Sequence, residues 1–345
     1  MKAAVIHGFG PPEVLTIEEI PRPAVPAGHV RIRVLAAGIN RLDHYVRNGD
    51  YLTDDQLTAP HVLGADASGV IDEVGEGVAT FKVGERVIPM PGYPDEVTEG
   101  PLTHATGFGI GGVTRPGTYA EFVTVPSRWV LKDDTRLPPA EAATLPMVVT
   151  TAVRAVKIVG EVKAGQTVLV LAGASGTGSM AIQVAKALGA RVLATVRKGS
   201  KAEFVSSVGA DRVIVSEEED FVEVARAETG GEGVDVVIDA LGGDALNRGL
   251  ATLRRGGVLV SIGFVAGREA RIDVVPFFFE EKQIRGSLMG EIEDLRWGLD
   301  QVEAGRIRPL LDRVYPLEMA AEAHRRVAES SMKGNVVLVP GSDES

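Results

Sequence analysis

The sequence predicts an α/β protein with a β-rich second domain, the larger signal being a parallel sheet covered by helices. Three observations carry this. The 345 residues are enough for two hydrophobic cores, and an apolar content of 45% with only 5% aromatic residues makes those cores aliphatic. Strand and helix candidates alternate through the middle of the chain at the spacing of βαβ units. Ahead of that stretch, short β-rich runs are punctuated by Gly and Pro without intervening helices.

Taken in order, Lys2–Ile6, Val30–Ala36, Gly69–Val74 and Glu85–Pro89 are strand candidates that predict hairpins or a compact curved sheet. Met90 to Gly117 is turn-rich and lacks sustained periodicity, as expected of an extended surface lobe; Tyr119–Val125 restores a strand pattern. Pro139–Val159 has a helical pattern interrupted by Pro146. The alternation then runs Thr167–Leu171, Ser179–Leu188, Arg191–Thr195, Lys201–Ser207, Arg212–Ile214, Phe221–Glu228, Val234–Asp239, Ala245–Leu253 and Val258–Ile262. Such strands are buried on both faces of a parallel sheet. Lys282–Leu288 adds a strand, Glu291–Ala304 a helix ending near Gly305, Pro316–Ala328 another helix, and Asn335–Val339 a terminal strand.

Charge and composition narrow the partners. A formal net charge of -11 repels a polyanionic backbone, so nucleic acid is not expected as a partner. With no cysteine, the chain has no disulfide, reactive thiol or thiolate-bound zinc to offer. Met1-Lys2-Ala3-Ala4-Val5-Ile6 resembles a strand more than a signal sequence, and together these features favour a cytoplasmic location. Charges or glycines break later apolar runs before they reach the length of a membrane helix, so no membrane association is expected.

The central motif is Gly173-Ala174-Ser175-Gly176-Thr177-Gly178, between the strand Thr167–Leu171 and the helix Ser179–Leu188. Small residues in a strand-to-helix turn let the backbone approach a pyrophosphate, and the helix amides stabilise its charge. Ser175 takes the middle glycine position of G-x-G-x-x-G; Gly173 and Gly178 fit the outer positions, and Gly176 is expected to loosen the turn. Alone, this segment is equally a tight structural turn, so the surrounding β-α-β rhythm supplies its specificity. The next strand leads into Val196-Arg197-Lys198-Gly199-Ser200-Lys201, where an acidic residue would receive the ribose hydroxyls of NAD. Arg197, Lys198 and Lys201 instead suit a ribose phosphate and favour NADPH, although the same run also fits a solvated charged surface. Asp239 and Gly263, at the ends of the next two strands, are candidate cofactor contacts; Asp239 equally suits a turn cap.

The order of motifs resembles the medium-chain dehydrogenase/reductases, in particular their zinc-independent NADPH:quinone oxidoreductase-like branch. The resemblance extends over Ala36-Ala37-Gly38-Ile39-Asn40-Arg41-Leu42-Asp43-His44-Tyr45-Val46-Arg47-Asn48-Gly49, Val62-Leu63-Gly64-Ala65-Asp66-Ala67-Ser68-Gly69-Val70 and Val74-Gly75-Glu76-Gly77-Val78 as well as the glycine turn. It implies a GroES-like substrate-binding domain over residues 1–129 plus 289–345, a Rossmann-type cofactor domain over 130–288, and a cleft between them. It also implies a homodimer, with tetramers known in the family. Against the zinc members, Asn40 replaces a ligating cysteine, Ala65 a histidine, and Met147 a later cysteine; Asp66 alone cannot rebuild a zinc site, so no metal is expected. Zinc members hold the Met90–Gly117 region with four cysteines. Here the lobe is expected to be metal-free packing or a substrate or subunit contact, with His104 exposed.

By the same resemblance Asn40, Tyr45 and Tyr51 are catalytic candidates, and Asp43 and Thr151 lie near the cofactor. Asn40 can hydrogen-bond an oxygen, and either tyrosine can donate a hydrogen bond or form an aromatic wall. Each has a structural alternative: Asn40 and Asp43 in a helix start, the tyrosines in ordinary packing, Thr151 in a helix-backbone bond. The implied function is NADPH-dependent reduction of quinones or conjugated carbonyl compounds. The alternatives are an enoyl-thioester reductase and a non-enzymatic NADPH-binding regulatory protein.

Overall fold

In His29–Ile39 the alternation of side chains buries Val30, Ile32, Val34 and Ala36, which makes this strand the spine of a mixed sheet. The structure, a computed structural model, describes residues 1–97, 99–329 and 332–341. Along its length His29–Ile39 pairs antiparallel with Asp66–Val74, Phe122–Pro126 and Asn335–Val339. The seven-stranded order is Val130–Lys132, Arg86–Pro89, Asp66–Val74, His29–Ile39, Asn335–Val339 and Leu311–Pro316, with Phe122–Pro126 beside the spine. A separate three-stranded sheet has Lys2–Ile6 between Thr16–Glu19 and His61–Val62.

The chain's last segment thus returns to the N-terminal sheet. Leu311–Pro316 runs parallel to Asn335–Val339, and the helix Ala320–Ala328 connects them. Sequence periodicity assigned a helix from Pro316, but the structure has a strand to that residue and a short turn before Ala320. Leu311–Pro316 is an edge strand with a single buried residue, so no alternation marks it.

A second sheet contains six parallel strands in the order Arg212–Val215, Arg191–Val196, Thr167–Val170, Val234–Asp239, Leu253–Ser261 and Gln283–Gly286. The strand order reverses beside Thr167–Val170, which is where open α/β sheets bind ligands. Leu169, Leu171, Leu193, Ile214, Val237 and Leu259 are buried between this sheet and its helices.

Packing groups Met1–Met147 with Pro309–Ser345 and gathers Val148–Arg308 into a second unit. The family resemblance implies boundaries after 129 and 288 instead. Local contacts account for the difference: Asn335 Nδ2 donates to Thr144 O at 2.8 Å within the first unit. Within the second, a Cβ on Gly298 of the helix Ile292–Glu303 would lie 2.0 Å from Val149 Cγ1.

Pro139–Val159 corrects another expectation. By length and composition its 21 residues are apolar enough to cross a membrane, and 72% of the apolar window is buried inside the protein. Core packing therefore accounts for its apolar character. It is built from Pro139–Ala142, Pro146–Val153 and a wide π-helical turn over Arg154–Val159.

The lobe from Met90 to Gly117 is organised around Arg115. Its guanidinium pairs with Asp95 at 2.7 Å, donates to the carbonyls of Tyr93 and Gly107, and lies over the Tyr93 ring. Tyr93 in turn stacks on Trp129 at 6.3 Å, and His104 is exposed. Arg115→Ala is expected to destabilise the protein by about 1–3 kcal/mol in urea denaturation. The accompanying sign would be faster proteolysis within 93–117, with dinucleotide binding unchanged.

Candidate functional site

The glycine turn is built by hydrogen bonds that the sequence pattern did not reveal. Ser175 is the N-cap of the helix Gly176–Ala187; its Oγ accepts from Gly178 N at 3.0 Å and donates to Ala172 O at 2.8 Å. Gly176 is therefore the first helical residue rather than a loosening element. The left-handed position falls on Ala172, with φ 57°. Glycine is needed at 173 and 178 for space: a Cβ on Gly173 would meet Ala194 Cβ at 3.0 Å, and one on Gly178 would meet Ala172 O at 2.3 Å. Thr177 follows Gly176 in the first turn of the same helix. A helix N-terminus opening on half-buried Gly176 and Thr177, behind a cradle that side chains would fill, suits a pyrophosphate.

The turn touches the end of the neighbouring strand. Gly173 N donates to Thr195 O at 2.8 Å and Ala172 N to Thr195 Oγ1 at 3.1 Å, so the chain leaving Val196 begins beside the turn. Arg197 and Lys198 are exposed there, and Lys201 is half-buried. Arg197 Nε lies 3.8 Å from Glu217 Oε1 on the following loop, a contact between two exposed side chains that a phosphate can outcompete.

Asp239 is fully buried and accepts from Leu241 N at 2.8 Å and Gly242 N at 3.1 Å. Burial raises its carboxyl above the usual range. Its hydrogen bonds are thus spent on its own turn, which is the capping alternative. Gly263 lies two residues past the end of the adjacent strand Leu253–Ser261, where a Cβ would be 2.7 Å from Ala240 O. Thr151 is half-buried on the helix Pro146–Val153.

The other candidates gather in the N-terminal unit. Asn40 is the N-cap of the helix Arg41–Asn48; its backbone N donates to Asp43 Oδ2 at 2.7 Å, and its side-chain Nδ2 donates to Asp66 Oδ2 at 2.9 Å. Asp66 Oδ1 accepts from Met147 N at 2.9 Å, and Asp43 Oδ2 also accepts from Tyr119 Oη at 3.0 Å. Asp43 and Asp66 are both 1% exposed. Burial, set against these hydrogen bonds, pushes Asp43 up to about 7 and Asp66 up to about 8, with the charge of Asp43 adding to the latter. Asp43 was a cofactor-contact candidate; the structure turns its carboxyl inward to hold Asn40 and Tyr119.

Beyond Tyr119 the network continues to the returning C-terminal helix. The rings of Tyr119 and His324 meet edge to face at 5.7 Å, and Arg47 Nη1 lies 2.9 Å from His324 Nδ1. A guanidinium only donates, so Nδ1 is the acceptor and His324 is neutral; burial, then the charge of Arg47, lowers it to about 3. Tyr45 is half-buried on the same helix as Asp43, while Tyr51 lies beyond it and is 45% exposed. Sequence reasoning missed Tyr119, Arg47 and His324 as a group. The available signal was a carboxylate, Asp66, embedded in an otherwise small and apolar run.

Among the described residues, no group of three or more His, Cys, Asp or Glu side chains is placed to hold a metal ion. At Asn40, Ala65 and Met147, where the family resemblance implies the ligands of zinc members, none of the three side chains is a thiolate or imidazole.

The alcohol dehydrogenase GroES-like domain family matches residues 26–139, and the zinc-binding dehydrogenase family matches residues 176–304. The chain is 33% identical to a 2-haloacrylate reductase of Burkholderia sp, covering 98% of both chains. It is 30% identical to a quinone oxidoreductase of Pongo abelii, again covering 98% of each. The crystal structure of an NAD-dependent alcohol dehydrogenase superposes with a TM-score of 0.93 at 36% identity, covering 99% of this chain and 100% of the other.

Proposed function

Because the chain belongs to the medium-chain dehydrogenase/reductase superfamily, as an NAD(P)H-dependent oxidoreductase that lacks the zinc-binding cysteines, we propose that it reduces quinones or conjugated carbonyl compounds with NADPH. The observation that carries this reading is Asn40, an amide N–H donor in place of a zinc ligand. Bound NADPH supplies a hydride. The chain's own residues then stabilise negative charge on the acceptor oxygen, which we assign to Asn40 Nδ2–H. Tyr45 and Tyr51 are assigned to the wall or proton supply of the acceptor site. One hydride and one proton reduce an enone at its carbon-carbon bond, the proton coming from solvent or a positioned hydroxyl.

Relatives named 2-haloacrylate reductase and quinone oxidoreductase support a conjugated acceptor. Exposed cations at 197 and 198, with Lys201 beside them and no acidic residue among them, support NADPH. Neutralising Arg197 and Lys201 together is expected to weaken NADPH use by about tenfold or more while leaving NADH use within twofold. Unchanged cofactor ratios in paired kinetics would remove the phosphate assignment.

The reaction assignment is tested by turnover with paired NADPH and NADH against quinones, small enones, enoyl thioesters and alcohols. Consumption with quinones or enones is expected. Preference for enoyl thioesters would move the assignment to an acyl substrate, and tight NADPH binding without any turnover would favour a regulatory protein.

A homodimer completes the proposal. Gln283–Gly286 is hydrogen-bonded to the sheet on one side, and the preceding helix Val274–Phe279 has no buried residue, with Phe278 and Phe279 56% and 63% exposed. An open strand edge beside an apolar helix suits a second copy related by a twofold axis. Phe278→Asp with Phe279→Asp is expected to yield monomers by sedimentation, and retention of the wild-type mass would remove this interface.

A further inference from the structure

We infer that Asp66 is a positioning residue that makes Asn40 a hydrogen-bond donor toward the acceptor, an inference that rests on the reductase reading above. Asp66 opens the strand Asp66–Val74 and is paired in register with Gly38. The pairing requires a glycine, since a Cβ on Gly38 would lie 3.0 Å from Asp66 Cβ and 2.4 Å from Ala143 O. The aspartate is then anchored independently of Asn40: its Oδ1 accepts from Met147 N at 2.9 Å and its backbone O accepts from Thr118 Oγ1 at 2.9 Å. Only Oδ2 remains, and it accepts from Asn40 Nδ2 at 2.9 Å.

A carboxamide has two chemically opposite ends, and its neighbours decide which end points where. In the structure both oxygens of Asp66 accept N–H groups, the arrangement of the ionised carboxylate, and in that form, populated above about pH 8, it turns the nitrogen of Asn40 toward itself. The Asn40 backbone is fixed as well, because its N–H is held by Asp43 Oδ2 at 2.7 Å. One hydrogen of Nδ2 is used by Asp66, and Asn40 is only half-buried, which leaves the second hydrogen for an acceptor oxygen. With the amide reversed, a carbonyl oxygen would face the acceptor and repel the charge that develops there.

Asp66→Asn tests this. An amide at position 66 cannot accept from both Met147 N and Asn40 Nδ2, so the Asn40 carboxamide loses the contact that orients it. The expected result at about pH 8.5, where Asp66 is mostly ionised, is a fall in kcat of about 10²-fold, the effect of losing one donor to a developing oxyanion, with the dissociation constant for NADPH within twofold of wild type. The reciprocal pair Asn40→Asp with Asp66→Asn restores a donor and an acceptor in reversed order. It is expected to recover thermal stability but not kcat. Wild-type kcat in Asp66→Asn, or recovery of kcat together with stability in the reciprocal pair, would overturn the inference.

A readout without turnover separates this from the reductase reading. In 15N-labelled protein without NADPH, at about pH 8.5, menadione is expected to shift the Asn40 side-chain amide resonance of the wild type and not that of Asp66→Asn. That shift in a protein inactive on every acceptor would defeat the reductase reading and support the positioning. Equal shifts in both proteins would overturn the positioning.

Discussion

Gly178→Val is expected to weaken NADPH binding by more than about 100-fold, because the added side chain overpacks the turn and closes the amide cradle at once. A Cβ there would lie 2.3 Å from Ala172 O and 2.8 Å from Ser175 Oγ. Neither atom is free to move: Ala172 O accepts from both Ser175 N at 2.9 Å and Ser175 Oγ at 2.8 Å. Overpacking of this kind costs about 1–3 kcal/mol in stability, and relief would require unwinding the first helical turn. Ala172→Gly is the contrasting variant. At φ 57° it relieves a left-handed alanine, so it is expected to be neutral or stabilising by up to about 1 kcal/mol with binding intact. Titration calorimetry with NADPH reads both variants, and wild-type affinity in Gly178→Val would show that this turn is not the dinucleotide site.

The second large effect is on stability against pH. Asp43 and Asp66 are raised to about 7 and about 8 in the folded protein, above their ordinary unfolded values near 4. The folded state therefore binds more protons than the unfolded chain between those limits. Stability from these groups is fully present below pH 4 and is lost as pH rises through 7 and 8, at up to about 1.4 kcal/mol per pH unit for each group. His324 has the opposite sign: lowered to about 3, it removes stability as pH falls below its ordinary value near 6.5. Between pH 6.5 and about 8 the two carboxyls act without that opposition, and the melting temperature is expected to fall with rising pH. Asp43→Asn or Asp66→Asn should each flatten the decline, which urea titrations at several pH values would measure. An unchanged slope in both variants would mean that these carboxyls do not hold protons in the folded state.

What the sequence disclosed follows from which forces leave a periodic or local trace. The strands of the parallel sheet are buried on both faces, and Phe221–Glu228 and Val234–Asp239 are bounded in the structure as their sequence patterns predict. Leu311–Pro316 left no such trace, because an edge strand with one buried side chain need not alternate. At the glycine turn, composition showed the space required at 173 and 178, but which residue took the left-handed backbone was settled by hydrogen bonding at Ser175. The buried Asp43, Asp66, Tyr119 and His324 network was the least legible part. Its contacts reach across as many as 277 residues, as between Arg47 and His324, and only folding of the returning C-terminal helix brings them together. The exposed cations after Val196 were readable as residues, while their neighbour Glu217 came from a loop that sequence spacing did not place.

The most direct test of the central claim is the transfer of label from NADPH deuterated at the nicotinamide C4 position to a small cyclic enone. Mass spectrometry and NMR of the saturated ketone should show one deuterium at the β carbon and a solvent-derived proton at the α carbon. A holoprotein that leaves the β carbon unlabelled with the enone intact, and that consumes no NADPH with quinones either, would contradict the account.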